Sequence, residues 1–498
     1  MNNLVNHGHD AVALLHARPA ATPAAIPLVV DLDGTLLRSD MLIESAMAYA
    51  RARPLAAFAP LLWLRGGKAH LKQRLAQATD IDVATLPYDE RVLALIARER
   101  ALGRPIVLAT ASDRLYADRI AAHLQLFDAV LATEDGVNLS AGRKRDSLVA
   151  RYGLRGYDYA GNSDDDLVVW ASARHAYVVG AGGALQRRAI AGGNVAEVLP
   201  RPTRGASLRA LMKALRVHQW AKNLLILLPL LAAHGAGEAA RLLAGALAFI
   251  CFSLCASSVY LLNDLLDVAD DRHHKTKRLR PFAAGRLPLL AGVALAPLLL
   301  GGAFAMALWL LPWQFGAVLL VYYALTLAYS LQLKRVMGLD AITLAGLYTL
   351  RLIAGAAAFA VPLTFWLLAF SMFMFLSLAL VKRYAELREA RHRGEAAKAR
   401  GRGYFPGDLE MISSLGAASG YLAVLVLALY TQDRATVALY RHPQLIWLAC
   451  PLLLFWITRA WMLTHRGQMH DDPVVFALKD RASLVVGALF AAIFWAAT

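Results

Sequence analysis

The pattern of apolar and polar positions changes character partway along the chain. Up to about residue 204, short apolar runs are broken by polar and turn-forming residues, as in an ordinary globular domain. From about Leu224 to the C-terminus, long apolar stretches recur. A helix needs about 20 such residues to cross a hydrocarbon core. The two regimes meet near Pro200-Arg201-Pro202-Thr203-Arg204-Gly205-Ala206. The pattern predicts a tail over 1–25, a globular domain over 26–200, a linker over 201–217 and a multi-pass helical domain over 218–498.

Nine spans are expected, at 222–234, 242–262, 288–311, 314–333, 339–360, 363–381, 412–430, 443–463 and 482–497. The first is short and the fifth is rich in small residues. Charge between spans sets orientation. The even-numbered connections carry Arg272, Lys275, Lys277, Arg278, Arg280 and Arg286, then Lys334 and Arg335. They continue with a basic run that includes Lys382, Arg383, Lys398, Arg400 and Arg402, and end with Arg466, Lys479 and Arg481. The odd connections hold little beyond Arg241, Arg434 and Arg441. Cytoplasmic loops collect Lys and Arg, so the even connections and the N-terminal domain are expected inside and the C-terminus outside. The expected location is the cell inner membrane.

Composition supports this division. The 498 residues are 58% hydrophobic and 18% charged, whereas soluble chains run nearer 45–50% apolar and about 25% charged. The net charge of +16 is explained by cytoplasmic loops, so no nucleic-acid partner is expected. Cys251, Cys255 and Cys450 lie in apolar runs and form neither a disulfide framework nor a metal spacing. Met1 to Thr22 lacks a basic-then-apolar signal pattern, which points to a cytoplasmic N-terminus.

The second span closes on Asn263-Asp264-Leu265-Leu266-Asp267-Val268-Ala269-Asp270-Asp271. On a helix, Asn263, Asp264, Asp267 and Asp271 fall within roughly 100° of one face. Carboxylates crowded at a membrane boundary repel one another unless cations bind. Hard oxygen ligands suit Mg²⁺, which bridges readily to phosphates. Downstream, Arg272, Lys275, Lys277, Arg278 and Arg280 suit phosphate oxygens. Acid for a metal followed by base for phosphate is what a diphosphate leaving group requires. A solvated charged loop is the plain alternative, and the helical spacing of the acids on an apolar span weighs against it.

Asn263-Asp264-x-x-Asp267-x-x-x-Asp271 resembles the first motif of the intramembrane prenyltransferase (UbiA) superfamily, over residues from about Leu208 to the C-terminus. That resemblance implies about nine helices around a central cavity. Within the superfamily the chain looks most like the decaprenyl-phosphate phosphoribosyltransferase branch. The residues behind this are His218-Gln219-Trp220-Ala221-Lys222-Asn223, Lys275-Thr276-Lys277-Arg278-Leu279-Arg280-Pro281, Tyr329-Ser330-Leu331-Gln332-Leu333-Lys334 and Val381-Lys382-Arg383-Tyr384. Aromatic prenyltransferases of the superfamily usually carry a second aspartate pair before span five. Here Lys334-Arg335-Val336-Met337-Gly338-Leu339-Asp340 offers one carboxylate, and Lys334 with Arg335 would suit an anionic acceptor such as a lipid monophosphate. Arg351, inside span five, is costly unless it faces a cavity or a partner; phosphate contact and a structural pairing are both open. Lys382 and Arg383 read as topology anchors. Arg402-Gly403-Tyr404 and Asp471-Asp472-Pro473 read as loops, with a lesser prospect of lid contacts.

In the N-terminal domain, Leu28-Val29-Val30 reads as a buried strand leading into Asp31-Leu32-Asp33-Gly34-Thr35. Two aspartates at a strand end can divide two tasks: Asp31 attacks phosphorus and Asp33 shuttles a proton to the leaving oxygen. This resembles the haloacid dehalogenase (HAD) phosphatases over about residues 26–200. The resemblance implies phosphate contacts from Thr110, at the end of Ile106-Val107-Leu108-Ala109-Thr110, and from Lys144. It implies Mg²⁺ at Asp31, Asp33 and the acidic motif Gly161-Asn162-Ser163-Asp164-Asp165-Asp166. Asn162 stands where that motif usually has aspartate, so Asp165 or Asp166 is the candidate to supply the charge, and a catalytically silent scaffold stays open. Residues 37–102 are expected to form a helical cap. Its Phe58-Ala59-Pro60-Leu61-Leu62-Trp63-Leu64 run, flanked by Arg65, Lys68, Lys72 and Arg74, is expected to pack in the cap rather than rest on a membrane surface.

The expected fold is therefore an α/β HAD-like Rossmannoid followed by an all-α membrane domain. The expected function is bifunctional, with Mg²⁺ in both domains. 5-Phosphoribose passes from phosphoribosyl diphosphate to a polyprenyl phosphate, and the 5-phosphate is then removed. The runner-up is an aromatic prenyltransferase with a separate phosphatase or scaffold; a cation transporter is a third class, opposed by the basic run after Asp271. A second copy of the chain, forming a homo-oligomer, is a further candidate partner.

Overall fold

The computed structural model describes residues 26–134, 136–201, 203–232, 238–394, 402–433, 440–469 and 472–498. The expected tail 1–25, the spans' ends at 233–234, Lys398, Arg400, Arg434 and Asp471 lie outside the described residues. The chain divides into two compact units. One is Met1–Leu215 with Leu261–Leu295; the other is Arg216–Tyr260 with Ala296–Thr498. The acidic end of the second span thus belongs with the N-terminal domain.

In the first unit, six strands form one sheet in the order β3-β2-β1-β4-β5-β6. They are β1 Leu28–Val30, β2 Ile106–Asp113, β3 Ala129–Thr133, β4 Asp158–Gly161, β5 Ala176–Val179 and β6 Val195–Leu199. All pairings are parallel, and Leu28 faces Ile106 on one side and Asp158 on the other. Leu28 and Val30 enter one apolar cluster, with Leu108, Leu95 and Ile96; Val29 enters another, with Tyr159, Val169 and Trp170. Burial on both faces is why β1 is an unbroken apolar run rather than an alternating one. Strand order reverses between β1 and β4, and in open parallel sheets ligands bind outside the strand ends at such a point. Asp31 follows β1 and Gly161 ends β4 there.

The cap is helical, as expected. Asp40 caps the helix Met41–Ala52 by accepting from Leu42 N and Ile43 N. That helix packs on Lys68–Ala78 through Tyr49, Leu71 and Leu75, with Trp63 edge-on to Tyr49 at 5.1 Å. Leu55, Phe58, Leu61 and Leu62 are exposed, so of the expected packed run Ala59 and Trp63 join this cluster. The helix Glu90–Ala101 joins the cluster that packs on the sheet, through Val92, Leu95 and Ile96.

Among the described residues, seven helices are long and apolar enough to cross a membrane. They are Ala239–Leu266, Leu289–Leu310, Trp313–Leu331, Leu339–Phe359, Phe365–His392, Pro406–Tyr430 and Pro443–His465. The ninth expected span is the 17-residue helix Arg481–Ala497, capped by Asp480. The first is a 3₁₀ stretch, Val217–Leu227, followed by a short helix, Leu228–Ala232. Pro229 lies at that changeover, where its missing N–H is least costly.

Candidate functional site

At the mouth of the sheet, Lys144 donates to Asp31 Oδ1 at 2.6 Å and to the Tyr159 hydroxyl at 2.9 Å. Lys144 is delivered by the helix Ala141–Tyr152 and is buried. Tyr159 in turn donates to Asp166 Oδ1 at 2.8 Å. Burial acts to lower the Lys144 ammonium, but Asp31 and Asp166 outweigh it and hold it above its ordinary value. Burial pushes Asp31 up to about 6 against the pull of Lys144. Asp33 Oδ1 accepts from Met41 N at 2.8 Å and its Oδ2 from the Ser112 hydroxyl at 2.6 Å. Burial, reinforced by Asp40 and Asp31, pushes Asp33 up to about 7. Gly34 turns with φ +75°, and a Cβ there would lie 2.1 Å from Asn162 Nδ2. Only glycine lets the two loops close on each other.

Asp166 was expected at a metal. Its Oδ2 instead accepts from Asn162 N and Ser163 N, both at 2.9 Å, and from the Ser163 hydroxyl. With Oδ1 taken by Tyr159, this carboxylate braces the motif and holds Lys144 through Tyr159 rather than facing outward. Asp33's carboxylate is likewise engaged by Met41 and Ser112. Thr110 is buried and accepts from Ser112 N at 2.9 Å, so it shapes the strand end. Asn162 Oδ1 accepts from the Thr35 hydroxyl at 3.3 Å. Lys72, named in sequence only as a cap base, reaches Ala111 O at 2.6 Å and Asn138 Oδ1 at 3.1 Å.

The acidic end is nearly but not wholly one helix. It breaks at Asp267 (φ −93°, ψ 6°) between Ala239–Leu266 and Val268–His273. The i→i−4 bonds Asp267 N to Asn263 O and Asp271 N to Asp267 O persist, at 2.9 and 2.8 Å. Asp264 and Asp271 are buried, and Arg280 Nη1 bridges them at 3.0 and 2.7 Å. Burial pushes Asp271 up to about 6 although Arg280 pulls it down. Asp267 lies 3.5 Å from Arg51 and is 36% exposed, and Asp270 also pairs with Arg51. The single face expected of these acids is therefore split into a buried pair and an outer pair. Lys275, Lys277 and Arg278 are exposed. Among the described residues, no three His, Cys, Asp or Glu side chains gather closely enough to hold a metal unaided.

The second unit holds two polar clusters. In one, Asp472 Oδ2 takes Lys222 at 2.7 Å and Lys382 at 3.3 Å, and its Oδ1 takes the Tyr348 hydroxyl at 3.0 Å. Burial would raise Asp472, but Lys382 and Lys222 outweigh it and hold it well below the usual carboxylate range. Beside it, Arg351 donates to Asn223 Oδ1, Leu347 O and Tyr322 Oη at 2.9, 2.6 and 3.2 Å. Among the described residues, Arg351 is thus held by hydrogen bonds rather than by an ion pair. In the other cluster, buried Asp340 meets Arg383 at 2.5 Å and Arg402 at 3.2 Å, and accepts from Tyr329 at 2.8 Å. Arg383 is 1% exposed, so it is no surface anchor. Lys334 is half-buried. The sequence reads Asp472 as a loop residue with a lesser prospect of lid contacts; an aspartate before proline at a helix start is the further sign it offers.

Fold and site together describe a helical domain with seven helices long and apolar enough to cross a membrane among the described residues, and a parallel-sheet α/β domain with paired aspartates at a strand end. The UbiA prenyltransferase family model matches residues 224–484, and the haloacid dehalogenase-like hydrolase model matches residues 28–167. The protein y4nM of Sinorhizobium fredii is 38% identical over 473 residues, 94% of this chain and 90% of the relative. The nodulation protein NoeC of Azorhizobium caulinodans is 38% identical over 278 residues, 55% of this chain and 88% of NoeC. The decaprenyl-phosphate phosphoribosyltransferase of Mycolicibacterium smegmatis is 35% identical over 299 residues, 57% of this chain and 92% of that enzyme. The chain belongs to the UbiA prenyltransferase family and carries a HAD-like domain fused at its N-terminal side.

Proposed function

We propose that the helical domain transfers 5-phosphoribose from phosphoribosyl diphosphate to a polyprenyl phosphate, and that the HAD-like domain then removes the 5-phosphate. The observation that carries this is the 35% identity to a decaprenyl-phosphate phosphoribosyltransferase across 92% of its length. In the transfer, the bond from the anomeric carbon to the diphosphate breaks and one to the acceptor's phosphate oxygen forms. The acidic end suits Mg²⁺. Asp264 and Asp271 already share the Arg280 cation, and Mg²⁺ is typically held by one or two carboxylates together with substrate phosphates. Asp264 and Asp271 would hold it, with Asp267 the further candidate carboxylate at the helix break, and when bound it supplies positive charge beside the departing diphosphate. Asn263 adjoins this set, and Lys275, Lys277, Arg278 and Arg280 are the phosphate contacts. Tyr329, Lys334, Asp340, Lys222 and Arg351 are the candidates for substrate contacts within the second unit.

In the hydrolytic step, Asp31 attacks the 5-phosphorus and the ribose oxygen leaves with a proton from Asp33. A carboxyl raised to about 7 is suited to proton transfer near neutrality. Water then cleaves the aspartyl phosphate. Asp31 and the Asn162 amide would hold Mg²⁺, and Lys144 neutralises phosphate charge. The positive-inside pattern supports both sites being cytoplasmic. The test is purified protein given labelled phosphoribosyl diphosphate and polyprenyl phosphate. Labelled lipid is expected. No labelled lipid, with turnover of a prenyl diphosphate and an aromatic acid instead, overturns the proposal.

A further inference from the structure

We propose that the HAD-like domain holds the acidic end of the Ala239–Leu266 helix in place, with Glu44 as the positioning residue. This deepens the reading of that acidic end as the diphosphate site. Glu44 lies in the first turn of the Met41–Ala52 helix and is 3% exposed. Its carboxylate takes Arg272 Nη2 at 2.6 Å and Nη1 at 3.1 Å, and the Ser39 hydroxyl at 2.5 Å. Arg272 follows Asp271 directly, and its Nε donates to Ala283 O at 3.1 Å. One guanidinium therefore ties the acid segment to the loop after it and both to the cap. Two turns further along the same cap helix, Arg51 donates to Leu266 O at 3.2 Å and pairs with Asp267 and Asp270. These are the residues on either side of the helix break.

The physical need is plain. Val268–His273 has six residues, and an isolated helix shorter than about 12–15 residues does not sustain itself in water. The position of Asp271 relative to Asp264 must come from contacts beyond the segment, and the cap helix supplies them on both sides. Gly285 shows the same close fit in the following loop. Its φ is +62°, and a Cβ would meet Arg38 Cβ at 2.7 Å and Pro87 Cβ at 3.0 Å. Ser39, which fixes Glu44, sits in the turn whose carbonyl accepts from Gly34 N at 3.1 Å. The positioning contact is thus built on the same loop as Asp31 and Asp33.

The test uses the full-length protein in lipid nanodiscs. In Glu44→Gln, backbone hydrogen exchange over residues 267–288 should speed up about tenfold while β1 and β4 stay protected. The KM for the diphosphate donor and the Mg²⁺ needed for half-maximal transfer should each rise about tenfold. Hydrolysis of a small phosphosugar, whose site shares this helix through Met41 N and Asp33, should change by a smaller factor than the donor KM. Gly285→Ala approaches the same contact without touching the buried pair and should act in the same direction. Should Glu44→Gln fail to yield folded protein, Glu44→Asp and Gly285→Ala take its place. Unchanged exchange over 267–288 in these variants overturns the proposal. So does faster exchange with unchanged donor KM and Mg²⁺ dependence, since the contact would then be a staple only. If the wild type labels no lipid, the transfer reading fails by itself, and the exchange measurement still decides whether the domain holds the segment.

Discussion

Asp158, at the start of β4, meets two arginines with its two oxygens. Arg174 donates to Oδ1 at 2.8 Å and to Oδ2 at 2.6 Å, and Arg104 to Oδ2 at 2.5 Å. Burial alone would raise this carboxyl, yet Arg174 and Arg104 outweigh it and hold it below its ordinary value. Arg104 keeps its pair with Glu99 and Arg174 reaches solvent, so Asp158→Asn weakens charged hydrogen bonds without stranding a buried charge and should cost the domain about 2 kcal/mol. Urea pulse proteolysis of the full chain would measure it. A depressed carboxyl stabilises the fold fully above its unfolded value and loses that contribution as pH falls through the folded value. The gap between wild type and variant should therefore narrow below about pH 4. Asn162 gives a second residue-scale expectation. It faces Thr35 and Gly34 beside Asp31 and contributes an amide where a carboxylate would add charge. Asn162→Asp should lower the Mg²⁺ needed for half-maximal phosphosugar hydrolysis several-fold, about 1 kcal/mol in a charge-assisted contact. A titration showing no change would mean the amide does not face the cation. The sequence marked Asp31, Asp33, Lys144 and Asn162 because each follows a strand or a glycine turn. It did not show that Asp166 is consumed locally, because its partner Tyr159 lies within β4 with no sign of its own.

At the scale of elements, the long helices were legible because apolar length is read directly from the chain. The break at Asp267 was not, since the i→i−4 bonds run through it. Nor was the cluster at Asp472, whose partner Lys222 is 250 residues away. Asp472 has two tasks there. It caps the helix Pro473–Lys479 by accepting from Val474 N, and it neutralises Lys222 and Lys382. The two can be separated. Asparagine caps a helix as well as aspartate does, so Asp472→Asn removes charge alone and should cost about 3 kcal/mol, mostly from buried Lys222 left unpaired. Asp472→Ala should cost about 1 kcal/mol more through the lost cap. Thermal unfolding in detergent compares the two. Equal stabilities for the asparagine variant and the wild type would mean that Lys222 finds another partner.

At the scale of the whole chain, the question is whether two chemistries act in sequence. The relative y4nM matches across 94% of this chain, so the pairing of HAD-like and UbiA domains recurs in a second protein. A fused phosphatase is of use to a transferase whose product carries a phosphate that must go, and phosphoribosyl transfer leaves one at the 5-position. This orders the products. Asp267→Asn should reduce lipid labelling about a hundredfold or more, as loss of a charged group at the reacting diphosphate does, and leave phosphosugar hydrolysis intact. Asp31→Asn should leave labelling intact and change what accumulates. With a 5-³²P-labelled donor, the wild type should end with label as inorganic phosphate and with unlabelled ribosyl lipid, while Asp31→Asn should retain the label on the lipid. Chromatography of the lipid and aqueous phases over time reads both. Label kept on the lipid by the wild type as well would mean that the HAD-like domain acts on some other phosphate. In that event its fusion is explained by Glu44 and Arg51 holding the acidic segment, not by a shared product.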